Sequence, residues 1–150
     1  MHVHADAFRK IVNATLGSER LNAKDAVALV GIAYLALDAD DREDPDEIKV
    51  VDEISQHVCT LASTQVTPPG VRATDDFERL EKIRELGAQL STAASHELAY
   101  GLAYAVSISD MDLGPAESKL LVNLATALGI EGKRADELAA IVAEAVTPLG

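Results

Sequence analysis

The sequence predicts an all-α protein of about seven helices, arranged as two helical repeats around a pair of central apolar helices. Three observations carry that prediction. Apolar residues recur at spacings of three and four along most of the chain, whereas alternation of apolar and polar residues is nowhere sustained, which argues against strands. Residues 31–49, GIAYLALDADDREDPDEIK, are echoed by residues 101–119, GLAYAVSISDMDLGPAESK. Gly31/Gly101, Ala33/Ala103, Tyr34/Tyr104, Asp40/Asp110, Pro45/Pro115, Glu47/Glu117 and Lys49/Lys119 give seven identities in nineteen ungapped positions, where unrelated sequences would share about one. Finally, the uncharged runs 26–37 and 98–109, twelve residues each, are apolar on every side and so belong at the centre of a fold.

Taken in order, residues 4–16 place Phe8, Ile11, Val12, Thr15 and Leu16 on one face and stop at Gly17, an amphipathic first helix. Asn22 with Asp25 three positions on caps a second helix, whose apolar run ends near Leu37. Asp44-Pro45-Asp46-Glu47 opens a third, with a capping Asp, Pro at the first helical position and Glu three residues after the cap. That helix runs to about Leu61 with Ile48, Val51, Ile54 and Val58 inward, Val50 beside them, and Asp52, Glu53 and Gln56 toward water.

Residues 62–74, with Pro68-Pro69-Gly70 at their middle, read as a connection between units of about 5–61 and 75–146 within a single 1–150 domain. Asp75 caps a fourth helix with Phe77, Leu80, Ile83, Leu86 and Leu90 as its stripe. A fifth, from about Ala93 to Ser109 with Ser91 or Ser95 as its cap, repeats the apolar character of the second. Gly114-Pro115-Ala116-Glu117 opens a sixth that ends at Gly129. Residues 134–146 form the last, with Leu138, Ile141, Val142 and Ala145 inward. A glycine inside a helix costs roughly 1 kcal/mol relative to alanine, so Gly31 and Gly101 are expected to permit close contact between the two central helices.

The chain has 150 residues, 48% of them hydrophobic but only 3% aromatic, so its core is built from Ala, Leu, Val and Ile. Its formal charge is −12, from 25 acidic and 13 basic residues. A surface of that sign repels phosphate backbones and anionic lipid heads, which disfavours nucleic acid and leaves cations, or a protein partner with a basic surface, as the expected ligands. Cys59 stands alone, the N-terminus lacks the apolar segment of a secretory signal, and neither uncharged run reaches the roughly 18 residues of a membrane span. A cytoplasmic protein is the expectation.

The candidate functional surface is the acidic stretch. Asp38, Asp40 and Asp41 follow the C-terminal end of the second helix, where the backbone dipole disfavours each unpaired carboxylate by roughly 0.3–1 kcal/mol. Asp44, Asp46 and Glu47 sit at the favourable start of the third. Asp40 and Asp110 could simply accept hydrogen bonds from free backbone N–H groups at helix–loop–helix corners. Alternatively, Asp38, Asp40, Asp41, Glu43 and Glu47, with Asp110 and Glu117 from the echo, supply oxygens for a divalent cation such as calcium, magnesium, manganese or zinc. An EF-hand is excluded: a loop started at Asp38 places Glu43 where Gly is required and Lys49 where the closing Glu belongs, and one started at Asp110 ends on Leu121.

An apolar helix, an Asp, a short loop, a Glu seven residues on, and a second helix closed by Leu-Gly-Ile is a pattern that resembles the TerB-like family of tellurite-resistance and stress proteins. It is clearest from Tyr104 through Asp110 and Glu117 to Leu128-Gly129-Ile130. The resemblance spans roughly residues 20–145 and implies a compact helical array of two repeats. It also implies that the acidic positions Asp40, Glu47, Asp110 and Glu117 are associated with divalent metal. The family's Ala-Asp-Gly turn reads Ala39-Asp40-Asp41 and Ser109-Asp110-Met111 here.

Other candidates have structural explanations. His2 and His4 lie in a terminal tail. His57 and Cys59, two apart on a helix, face different ways. Ser95, His96 and Glu97 are consecutive on a helix and cannot converge as nucleophile, base and orienter. No phosphate loop, Cys-x-x-Cys, nucleophile elbow or His-Glu-x-x-His occurs. The expected role is a non-catalytic, stress-related adaptor or binding module whose acidic corner takes a cation. The alternatives are a metal-independent module docking a basic partner, and a metal-dependent hydrolase using the same carboxylates.

Overall fold

The computed structural model describes residues 5–17, 21–37, 45–64, 76–90, 92–108 and 115–146. Seven helices make up the described chain: α1 (Ala5–Thr15), α2 (Ala23–Leu37), α3 (Pro45–Ala62), α4 (Asp76–Gln89), α5 (Ala93–Ser107), α6 (Pro115–Leu128) and α7 (Gly132–Val146). No strand occurs among the described residues. No described helix is long and apolar enough to cross a membrane.

The interval of seventy residues seen in the sequence recurs in the helix boundaries. Both α2 and α5 are fifteen residues long, and each begins and ends seventy positions from the other. Likewise α3 and α6 both start on a proline, at 45 and 115, where the ring's fixed φ suits a first helical residue and its missing N–H costs nothing.

The central pair is α2 and α5, which lie against each other, and every other helix packs on one or both of them. Their burial follows from their composition. Ala26, Ala28, Leu29, Val30, Ala33 and Leu35 on α2 are fully buried, as are Leu98, Ala99, Leu102, Ala103, Ala105 and Val106 on α5. Helix α2 is further covered by α3 and α4, while α5 is covered by α1, α6 and α7. The amphipathic helices contribute single stripes: Phe8, Ile11 and Val12 from α1, Val50, Val51, Ile54 and Val58 from α3, and Leu138 and Val142 from α7.

Two residues expected inside lie outside. Ile48 is 38% exposed and Phe77 73% exposed. Ile48 belongs to the first turn of α3 and Phe77 is the second residue of α4, so both stripes begin beyond the edge of what the neighbouring helices cover. Glu53, expected to face water, is half-buried. Helix α5 stops at Ser107 rather than Ser109, and α7 begins at Gly132 rather than Arg134. The connection at 62–74 and the capping residues Asp44 and Asp75 lie outside the described residues, apart from the end of α3 and Ser63-Thr64.

The central glycines do not do what their spacing suggests. A methyl group at Gly31 would come within 2.9 Å of Leu86 Cδ1 on α4, and one at Gly101 within 3.3 Å of Ile11 Cγ2 on α1 and 3.4 Å of Val142 Cγ2 on α7. The nearest neighbour of each glycine belongs to a flanking helix, and at Gly101 nothing from α2 comes within 4 Å of the added methyl. Physically, α2 and α5 present alanines to many sides, so the closest approach is free to fall wherever a bulky neighbour needs room.

Helix ends are closed by backbone geometry. Gly129 at φ 71° ends α6, with the Ile130 N–H donating to Ala125 O at 2.9 Å and the Gly129 N–H to Thr126 O at 3.2 Å. That is the paired pattern of a Schellman ending. The same pattern ends α3 through Thr64 to Cys59 at 3.0 Å and Ser63 to Thr60 at 3.2 Å, with Ser63, a non-glycine residue, held at φ 52°.

Candidate functional site

Of the seven candidate metal ligands, Asp38, Asp40, Asp41, Glu43 and Asp110 lie outside the described residues. Glu47 and Glu117 are each the third residue of a described helix, α3 and α6, but their side chains lie outside the described part. What the described chain fixes is the frame. One acidic segment leaves α2 after Leu37 and enters α3 at Pro45, and the other leaves α5 after Ser107 and enters α6 at Pro115. Each therefore runs from the partial negative end of one helix to the partial positive end of the next. Among the described residues no group of three or more His, Cys, Asp or Glu side chains is placed to hold a metal ion.

His57, Cys59 and the Ser95-His96-Glu97 run are described, and each has separate surroundings, whereas His2 and His4 lie outside the described residues. His57 on α3 stacks on Phe8 of α1 with ring centroids 5.1 Å apart and planes 22° from parallel, which joins two helices through an aromatic contact. Cys59 is half-buried and carries no disulfide. The Ser95 hydroxyl turns back to the backbone of Thr92. The ring of His96 meets Gly87 O through Nε2 at 3.1 Å, and Glu97 meets Arg134. Three neighbouring side chains thus point to three different partners, as helical geometry requires.

Capping of α5 departs from expectation in one respect. Thr92, rather than Ser91 or Ser95, is the capping residue, at φ −136° and ψ 159°. Its Oγ1 accepts from the Ser95 N–H at 3.1 Å, and Ser95 Oγ accepts from the Thr92 N–H at 3.2 Å. Ser95 completes the box instead of starting it.

A cleft of about 270 Å³ lies between the first turns of α5 and the α6–α7 turn, lined by His96, Glu97, Leu128, Ile130, Glu131 and Arg134 among others. Its chemistry is dominated by Arg134. The guanidinium donates to Glu97 Oε1 from Nε at 3.1 Å and from Nη2 at 2.8 Å, to the backbone carbonyl of Ala14 from Nη2 at 2.9 Å, and to Glu137 Oε2 from Nη1 at 3.1 Å. The hydrogen bond to Glu97 raises the arginine's pKa above its ordinary value against an opposing effect of burial, and Glu137 adds to the rise. The result is a clamp that fastens the end of α1 and the start of α5 to α7. Its donors are aimed at the protein itself.

Nothing local in the sequence announces that clamp, because Ala14 is 120 residues from Arg134 and Glu97 is 37 away. Only the pairing of Arg134 with Glu137, one helical turn on, is visible as a spacing. The cleft also lies at the N-terminal end of α5, about 20 Å along the helix from Ser107 at 1.5 Å per residue.

The echoed tyrosines differ in their surroundings. Burial raises the pKa of Tyr34, Asp52 raises it further by charge and hydrogen bond, and a hydrogen bond with Ser55 opposes the rise. Seventy residues on, Asp52 is matched by Val122, which is 64% exposed. Tyr100, not itself an echoed residue, is raised chiefly by burial and then by Tyr104 and Asp136. Comparison with family models, with curated proteins and with solved structures finds no match.

Proposed function

We propose that the chain is a non-catalytic helical adaptor or binding module, stress-related in the manner the TerB resemblance implies, which works through the acidic corner at residues 38–47. One observation carries this reading. Seven of the ten residues from 38 to 47 are acidic, and the first of them directly follow the C-terminal end of α2. Carboxylates there oppose the helix dipole and need a positive partner. A divalent cation held by Asp38, Asp40, Asp41, Glu43 and Glu47 supplies it, with Asp110 and Glu117 as the corresponding groups of the second segment. The equal spacing of the two helix-to-helix connections supports treating them as counterparts.

The test is calorimetric titration of the full chain with calcium, magnesium, manganese and zinc, beside the Asp40→Asn/Glu47→Gln double variant. Saturable binding that weakens in the variant is expected. Affinity no better than millimolar for every ion, or binding that the variant leaves intact, removes the cation from the proposal.

The net charge of −12 favours a second reading, in which the same corner docks a basic protein surface without metal. Capture of a partner that is lost at high salt and indifferent to a chelator selects it, since contacts between exposed charges are screened within about 10 Å at 0.1 M salt. A metal-dependent hydrolase would need a cleft beside the carboxylates.

A further inference from the structure

We draw no further inference here: the strongest candidate, the cleft between the first turns of α5 and the α6–α7 turn, has its guanidinium taken up by Glu97, Glu137 and the Ala14 carbonyl, so that nothing in it identifies a ligand.

Discussion

Asn22 and Thr92, seventy residues apart, close the first turns of α2 and α5 with the same reciprocal pair of hydrogen bonds. Asn22 Oδ1 accepts from the Asp25 N–H at 2.8 Å and Asp25 Oδ2 accepts from the Asn22 N–H at 3.4 Å; Thr92 and Ser95 do likewise at 3.1 and 3.2 Å. The third residues of both boxes are buried, Asp25 at 2% exposure and Ser95 at 1%. Water therefore cannot easily replace the lost bond. Asn22→Ala and Thr92→Ala should each cost about 1 kcal/mol, within the usual range for removing a capping side chain. Urea denaturation followed by circular dichroism measures it, and a loss below about 0.3 kcal/mol in either variant would show that the box contributes nothing beyond solvation.

The Arg134 clamp should behave as a coupled pair. Its side chain and that of Glu97 are 32% and 26% exposed, sheltered enough for the pair to reach the upper end of the roughly 0–1 kcal/mol that a surface bridge is worth. A double-mutant cycle with Arg134→Met and Glu97→Gln should give a coupling energy of about 1 kcal/mol. Methionine keeps the apolar stem, so the cycle reads the charged contact rather than packing. Arg134→Met alone should also speed hydrogen exchange at the end of α1, because it withdraws the donor to Ala14 O. Unchanged exchange there would mean that α1 is held by its apolar face alone.

How far the sequence reached follows from the range of each interaction. The Asn22 and Asp25 box, the Pro45 and Pro115 starts and the Gly17 and Gly129 stops depend on residues within five positions, and a spacing rule finds them. Thr92 was missed because Ser91 and Ser95, on either side of it, are equally good capping types. Periodicity places Val51, Ile54 and Val58 on the buried face of α3 but carries no information about where the neighbouring helices end, and so it misplaced Ile48 and Phe77. The partners of Gly31 and Gly101, and the reach of Arg134 to Ala14, depend on how helices are laid side by side. No local pattern encodes that choice. For the acidic corner the sequence remains the whole account, since Asp38, Asp40, Asp41, Glu43 and Asp110 fall outside the described residues.

Alkaline pH should destabilise the protein through Tyr34 and Tyr100. Both pKa values are raised from 10.0, chiefly by burial, so the folded chain keeps its phenolic protons at a pH where the unfolded chain has lost them. The unfolded state then binds fewer protons, and the slope of stability with pH is negative. Stability from these groups is complete below about pH 10, the unfolded value, and is lost as pH rises through the higher folded values. Thermal melts between about pH 9 and 11 should show Tm falling more steeply in the parent than in Tyr34→Phe/Tyr100→Phe. Parallel curves would assign the decline to other groups.

Substitution at the two central glycines should differ, with Gly31→Ala the more stable of the two variants. Alanine in a helix interior is favoured over glycine by about 1 kcal/mol, and what decides the net effect is whether the neighbour can yield. At Gly31 the obstacle is the end of Leu86, 2.9 Å from the new methyl group. Leu86 is only partly buried, so its terminal methyls can turn away at small cost. At Gly101 the obstacles are Ile11 Cγ2 at 3.3 Å and Val142 Cγ2 at 3.4 Å. Both residues are buried, at 1% and 0% exposure, and both are β-branched and stiff at χ1. Overpacking of such a site costs about 1–3 kcal/mol. Gly31→Ala should therefore be neutral or stabilising by up to about 1 kcal/mol, while Gly101→Ala should be neutral to destabilising by about 2 kcal/mol. Gly101→Ala paired with Ile11→Val retains Cγ2 and should rescue nothing, whereas pairing it with Ile11→Ala removes the nearer of the two obstacles and should destabilise by less than the two single changes together. Chemical denaturation of the set measures these differences, and a Gly101→Ala variant more stable than Gly31→Ala would contradict the placement of α1 and α7 against α5.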